Sequence, residues 1–256
     1  MDFGKSFSFP FEDRDWLKKL GIAALILLIP FLGAFVVVGY AAEITKRTIR
    51  RNPVLLPEWD DFDAIMGYLV VGFKVAVIGF VYSLPIILIQ ACSQTALIMG
   101  QDSYEDVVTI LVTISAVCFG CLTFLYSLLM GMLLPAAISN FVETEELKAA
   151  FSFREVFGLV RAAPGAFALV LLVSFLAGII GSLGTIACVI GVVFTTAYAA
   201  VIYAHMQGQA YLIAKGSGFS SGGDNNFEPE LDPGYDPDAT TIFDPDSDDV
   251  VHISEV

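Results

Sequence analysis

Residues 107–134 read VVTILVTISAVCFGCLTFLYSLLMGMLL, twenty-eight positions without a charged side chain. As a helix at about 1.5 Å per residue this run is ~42 Å long, more than the ~30 Å of hydrocarbon that a membrane helix has to cross. Inside a bilayer every backbone N–H and C=O of such a run must be satisfied without water, and a helix does this within the segment itself. Three further runs, Tyr68 to Gln90, Gly165 to Leu183 and Thr185 to Tyr203, reach or approach the same requirement, interrupted only by Lys74. Composition agrees, with 56% hydrophobic residues, 16% charged residues and a mean hydropathy of +0.75, far from soluble usage. The expected fold is therefore all-α, a polytopic transmembrane helical bundle spanning residues 20–215. It is preceded by a cytoplasmic or interfacial segment, residues 1–19, and followed by a tail, residues 216–256.

The tail carries most of the net charge of −14. From Asp224 to Val256 there are eleven acids and no Lys or Arg, so the rest of the chain, with 13 basic and 27 − 11 = 16 acidic residues, is only −3. A stretch so acidic, poor in large apolar residues and broken by Gly and Asp-Pro, cannot bury enough surface to offset its ordering entropy, and disorder is expected there. Its DPDSDD run lacks the turn glycine and bidentate glutamate of an EF-hand loop, so a weak electrostatic cation site or a protein-docking segment is expected rather than a calcium cage.

The segment before the first long run is divided. Pro30 and Gly33 interrupt Leu20 to Ala42 and leave two pieces of about ten residues, each short for a crossing, so it reads as one kinked span or as a short hairpin. The count is about five to six membrane segments accordingly. Cations flank the cytoplasmic ends of spans. Lys46, Arg47, Arg50 and Arg51 place the first connector inside, Ser93 to Asp106 has none and is outside, Lys148, Arg154 and Arg161 bring the third connector back inside, and the GSLG turn at residues 181–184 is outside. A hairpin keeps Lys5, Arg14, Lys18 and Lys19 inside as well, with both termini cytoplasmic. The resulting location is the cell (plasma) membrane, multi-pass.

Between the first segment and Lys74 lies KRTIRRNPVLLPEWDDFDAIMGYLVVGFK, residues 46–74. The basic positions recur at i and i+4, Glu43 is spaced to pair with Arg47, and Asn52-Pro53 stops the helix. Glu58, Asp60, Asp61 and Asp63 then open the next helix, where anions suit the free N–H groups, and Trp59 suits the headgroup level. Lys46, Arg47, Arg50, Arg51, Trp59, Asp60 and Asp61 thus form a threaded corner that also offers a docking face for anionic lipid or a partner. Ser103 reads as an N-cap. Small residues spaced by four (Ala116 and Gly120, Ser127 and Gly131, Ala200, Ala204 and Gly208) mark helix contacts.

Chemistry-bearing residues are few. Lys74 is an ionisable group inside an apolar run, which is a functional candidate that also reads as snorkelling to the interface; Gln90 and Gln94 are further intramembrane polar candidates. Cys118-Phe-Gly-Cys121 lacks a second ligand pair, and His205 and His252 are too far apart in sequence to make a site. There is no Gly-rich phosphate loop, G-x-S-x-G or H-E-x-x-H, so no enzyme, metal or cofactor is expected. A weak echo aligns residues 29–44 with 187–202, Gly33 with Gly191 and Tyr40 with Tyr198; repeats of this kind occur in transporters.

Several short elements also resemble one family. The lead SFSFPFEDRDWLKKL (residues 6–20), the Gly39-Tyr40 pair before a basic helix end, LPEWDDF (56–62), Gly72-x-Lys74, YSLP (82–85) and AHMQGQ (204–209) are similar to those of DUF4013, a family of prokaryotic integral membrane proteins. The resemblance covers about residues 6 to 215. It implies a small α-helical bundle and no catalytic residues. The expected function is that of a non-enzymatic scaffold or accessory subunit of a membrane complex, with a small permease or channel for an uncharged or lipid-like solute as the alternative. Expected partners are the lipid bilayer, anionic lipid and a membrane protein or second copy, and not nucleic acid.

Overall fold

The computed structural model describes residues 3–52, 54–59, 61–101, 106–184 and 188–216, and among these every regular element is an α-helix. The helices are α1 Phe3–Glu12, α2 Trp16–Leu27, α3 Leu32–Ile49, α4 Phe62–Gln101, α5 Asp106–Thr144, α6 Leu147–Ala150, α7 Phe153–Ala162, α8 Pro164–Gly184 and α9 Cys188–Gly216. Two stretches, Phe62–Thr95 and Ile110–Thr144, are long and apolar enough to cross a membrane. A third is added if α7 and α8, bent by 94° at their junction, count as one span. The protein is membrane-embedded.

Helix α4 has 40 residues and α5 has 39, about 60 Å each, so both overrun the expected spans. Residues 93–101, expected in a connector, are still helical, and so are residues 139–144. Helix α8 likewise runs through the GSLG sequence to Gly184. Gly and Pro interrupt a helix less readily where apolar surroundings offer the backbone no competing partner, which accounts for Pro85 and Pro135 inside helices. Ser103, Asp60, residues 185–187 and the tail from residue 217 lie outside the described residues, and with them the expected N-cap, one expected site residue and the expected disorder.

The first segment folds back on itself. Phe31 is the centre of a γ-turn, φ 62° and ψ −58°, closed by Leu32 N donating to Pro30 O at 2.7 Å, and at Gly33 a Cβ would sit 2.0 Å from Ile26 O. Lys19 and Tyr40, each eight residues from the helix end next to this corner, both meet Trp59: its Nε1 donates to Lys19 O at 3.0 Å, and its ring stacks on Tyr40 at 4.5 Å. The arms α2 and α3 are therefore antiparallel. With 12 residues, α2 is about 18 Å long and too short to cross ~30 Å of hydrocarbon.

Helix α9 is shared by two apolar clusters. One joins α2, α3 and the 54–59 loop to α9 through Leu20, Val37, Ile44, Leu56 and Val201. The other joins α4, α5, α7 and α8 to α9 through Ile78, Phe141, Leu159, Phe167 and Met206. Helices α3 and α4 cross with backbones touching: a Cβ on Gly39 would sit 1.8 Å from Tyr68 O, and one on Gly72 1.8 Å from Phe35 O. The Ala204 and Gly208 pair closes α9 onto α3, where Thr45 Oγ1 donates to Ala204 O at 3.1 Å and Thr48 Cβ lies 2.7 Å from the Cβ position of Gly208.

Helix α3 ends in a Schellman arrangement. Asn52 N donates to Arg47 O at 2.9 Å and Arg51 N to Thr48 O at 3.2 Å, with Arg51 left-handed at φ 53°. Glycine is the usual residue there because it lacks the Cβ penalty. Arg51→Gly is expected to raise stability by about 1 kcal/mol, read as a later unfolding transition by circular dichroism in detergent.

Candidate functional site: the charged corner

The corner begins with the loop between α3 and α4, whose backbone carbonyls are capped one after another by side chains from three helices. Arg47 Nη1 donates to Val54 O at 3.2 Å, Lys19 Nζ to Leu56 O at 3.2 Å, Tyr40 Oη to Pro57 O at 3.2 Å and Tyr68 Oη to Glu58 O at 3.2 Å. Carbonyls outside regular structure still need donors, and here long or aromatic side chains supply them. The rings of Tyr40, Trp59 and Tyr68 form one stack-and-edge cluster with centroid separations of 4.5, 5.4 and 5.7 Å.

Lys19 is the buried charge of the site, 6% exposed. Its ammonium donates to Asp13 Oδ2 at 2.7 Å and to Leu56 O at 3.2 Å, and it forms a looser ion pair with Glu58 Oε1 at 3.7 Å. Burial pushes the Asp13 carboxyl up. The hydrogen bond from Lys19, a second from Asp15 N and the nearby ammonium charge outweigh that, and the net result is a carboxyl held below its ordinary range. A cleft of about 430 Å³ opens beside the pair, lined by Phe9, Arg14, Val54 and Glu58 among others.

The basic end of α3 is paired across the bundle. Lys46 Nζ lies 2.6 Å and Arg50 Nη2 3.2 Å from Glu145 Oε1, and the hydrogen bond and charge of Lys46 hold that carboxyl below its ordinary range. Arg47 Nε meets Glu43 Oε1 at 3.1 Å, the pair expected from spacing. Among the described residues no ion pair joins the basic residues 46–51 to the acids that open α4. Arg51 and Asp61 are exposed, and Asp61 O accepts from Ala64 N at 3.1 Å, starting α4.

A neighbouring polar group sits where α5 meets α9. Asn140 Nδ2 donates to Ala149 O at 3.0 Å and lies 3.3 Å from Glu155 Oε2. Tyr211 Oη donates to Glu143 and lies 3.2 Å from Asn140 Oδ1, and Lys215 Nζ is 3.6 Å from Glu143 Oε2. On the other side of α9, His205 Nδ1 pairs with Ser6 Oγ at 3.0 Å, the His205 ring packs on Phe9 at 4.4 Å, and Tyr198 Oη donates to Phe7 O at 3.1 Å.

The intramembrane candidates are not brought together. Lys74 is exposed on α4, twelve residues from its start, and Gln90 and Gln94 are also exposed; Gln90 Nε2 lies 3.4 Å from Thr123 Oγ1. Among the described residues no group of three or more His, Cys, Asp or Glu side chains is placed to hold a metal ion. Lys19, Asp13 and Glu145 were missed by sequence reasoning. Asp13 and Lys19 are six apart, which is no helical pairing interval, and Glu145 meets partners almost a hundred positions away.

The elements Gly39-Tyr40, LPEW, Gly72, YSLP and AHMQGQ are thus not scattered. Gly39 touches Gly72, Tyr40 caps the LPEW loop, Tyr82 Oη donates to Ala150 O at 2.8 Å, and Gln207 Nε2 donates to Pro135 O at 3.0 Å. A family model described as protein of unknown function (DUF4013) matches residues 22–207. The chain belongs to the DUF4013 family. No curated protein and no solved structure matches it significantly. Within the DUF4013 region, the short elements that carry the resemblance are contact partners that join α3 to α4 and to the corner loop, α4 to α6, and α9 to α5.

Proposed function

We propose that this protein is a non-enzymatic scaffold or accessory subunit of a membrane complex. It would reside in the cell membrane with about five to six segments, the first a short hairpin. The carrying observation is a division of labour along the chain. The family elements are occupied by contacts within the chain, whereas the outer part of α5 is free: Gly120 has no atom within 4 Å of its Cβ position, and Ile114, Val117 and Phe124 around it are 56–61% exposed. Ala116 and Gly120 have the spacing by which membrane helices approach one another, and Gly120, unlike Gly208, has no atom of the described residues against its Cβ position.

The ion pairs support a cytoplasmic C-terminus. They gather residues 46–51, 145 and 215 with the Lys19 loop at one end of the bundle, and cations concentrate on the cytoplasmic side. Co-purification of the full chain in mild detergent should recover another membrane protein in stoichiometric ratio, and Gly120→Leu should lose it while leaving the unfolding transition in place. Isolation as a lone monomer with no cross-linked neighbour in native membranes would overturn the reading.

A further inference from the structure

Helix α7 is held on one side and open on the other. Val156 and Leu159 are buried at 1% and 0% exposure, and Glu155 turns inward to Asn140. The open side carries Phe157, 54% exposed, and Phe153, 64% exposed with its ring tilted against Tyr82 at 5.6 Å, with Arg154 and Arg161, both exposed. At about 100° per residue the two phenylalanines lie ~40° apart, and the two arginines fall ~40–60° beyond Phe157. An aromatic sector therefore abuts a cationic sector on one face. Neither arginine has an ion-pair partner among the described residues, in contrast to Lys46, Arg47 and Arg50, which all do. Exposed Lys148 adds a third cation without an ion-pair partner among the described residues, just before α7.

The junction with α8 sets the direction of this face. Helix α8, 21 residues of almost wholly apolar sequence, leaves α7 at 94°, so an α8 that enters the bilayer leaves α7 lying along its surface. A short helix in that plane with aromatics beside cations has the composition of an interfacial anchor, the rings entering the acyl boundary and the guanidinium groups staying at the phosphates.

We propose that the Phe153, Arg154, Phe157 and Arg161 face of α7 is a binding surface for the anionic phospholipids of the leaflet that α8 enters. It differs from the 46–51 face, whose cations other than Arg51 are neutralised within the chain. It rests on the chain's being membrane-embedded with α8 entering the bilayer, and is independent of any scaffold role.

The test uses the full chain in lipid nanodiscs containing equal phosphatidylglycerol and phosphatidylcholine, with benzoylphenylalanine in place of Phe157 and mass spectrometry of the photo-adducts. The expected adducts are phospholipid, favouring phosphatidylglycerol by roughly fivefold per arginine, the equivalent of about 1 kcal/mol each. Arg154→Gln with Arg161→Gln should bring the ratio close to one, Arg154→Lys with Arg161→Lys should keep the preference, and Arg51→Gln should not change it. Unchanged helix content in each variant separates lost binding from lost fold. Absence of lipid adducts, equal labelling of the two lipids by the unsubstituted helix, or a protein adduct at position 157 in native membranes would each overturn the proposal.

Discussion

Gly39→Ala is expected to destabilise the protein by about 3 kcal/mol or more, and Gly72→Ala by a similar amount. The added methyl would stand 1.8 Å from Tyr68 O in the first case and from Phe35 O in the second. Both obstacles are backbone atoms inside helices, so relief requires α3 and α4 to separate. Membrane helices have no hydrophobic force between them beyond that shared with lipid, and close backbone approach is what their association rests on. Separation would also move Tyr40 and Tyr68, which neighbour the glycines and cap Pro57 O and Glu58 O. Gly79→Ala and Gly120→Ala serve as controls, because nothing lies within 4 Å of either added methyl and alanine is the better helix former by roughly 0.5–1 kcal/mol. Thermal unfolding in detergent should separate the two pairs; equal transitions for all four variants would refute close packing at the crossing.

Lys19→Ala is expected to cost about 3–5 kcal/mol, the range for removing one partner of a buried ion pair. The ammonium side chain is 8% exposed and the Asp13 side chain 19%, so the carboxylate left behind lacks full hydration. Leu56 O loses its donor at the same time. Adding Asp13→Ala should recover part of the loss, and a double-mutant cycle would read the coupling. The same pair sets a pH response. Because the Asp13 carboxyl is lowered in the folded protein, its contribution is fully present above the ordinary carboxyl pKa of about 4 and is lost as pH falls from there through the lowered value. Unfolding of the unsubstituted chain should therefore become easier in that acid window by more than that of Asp13→Asn. Parallel pH profiles for the two would count against the pairing.

Much of the corner was legible because it follows local rules. Glu43 and Arg47 pair as their spacing requires, the cations of residues 46–51 close α3, and Asp61 starts α4. The Ala204 and Gly208 spacing marked a true helix contact. Other features followed from no local rule. The basic end of α3 precedes the acids after Pro57 by only a few positions, yet its partner is Glu145 from across the bundle, because α5 delivers a left-handed cap residue, φ 61°, beside it. Lys19 read as one more topogenic cation, and its burial depends on a loop that arrives from residues 54–58. Lys74, the most conspicuous charge in the apolar sequence, faces outward, since the inner side of α4 is taken by Val75, Ile78 and Tyr82.

Membrane embedding, helical class and family membership are properties of the chain read in order, since transfer of apolar residues from water and satisfaction of the backbone within a helix are nearly additive along the sequence. Which residues meet is not additive in that way. The reversal at Phe31 could not be told from a kinked span by hydropathy, because both bury the same residues. Only the packed structure chose the hairpin, through Trp59 holding Lys19 and Tyr40 together. By the same folding it assigned Ser6 to His205 and Tyr82 to Ala150, and left the Phe and Arg face of α7 open.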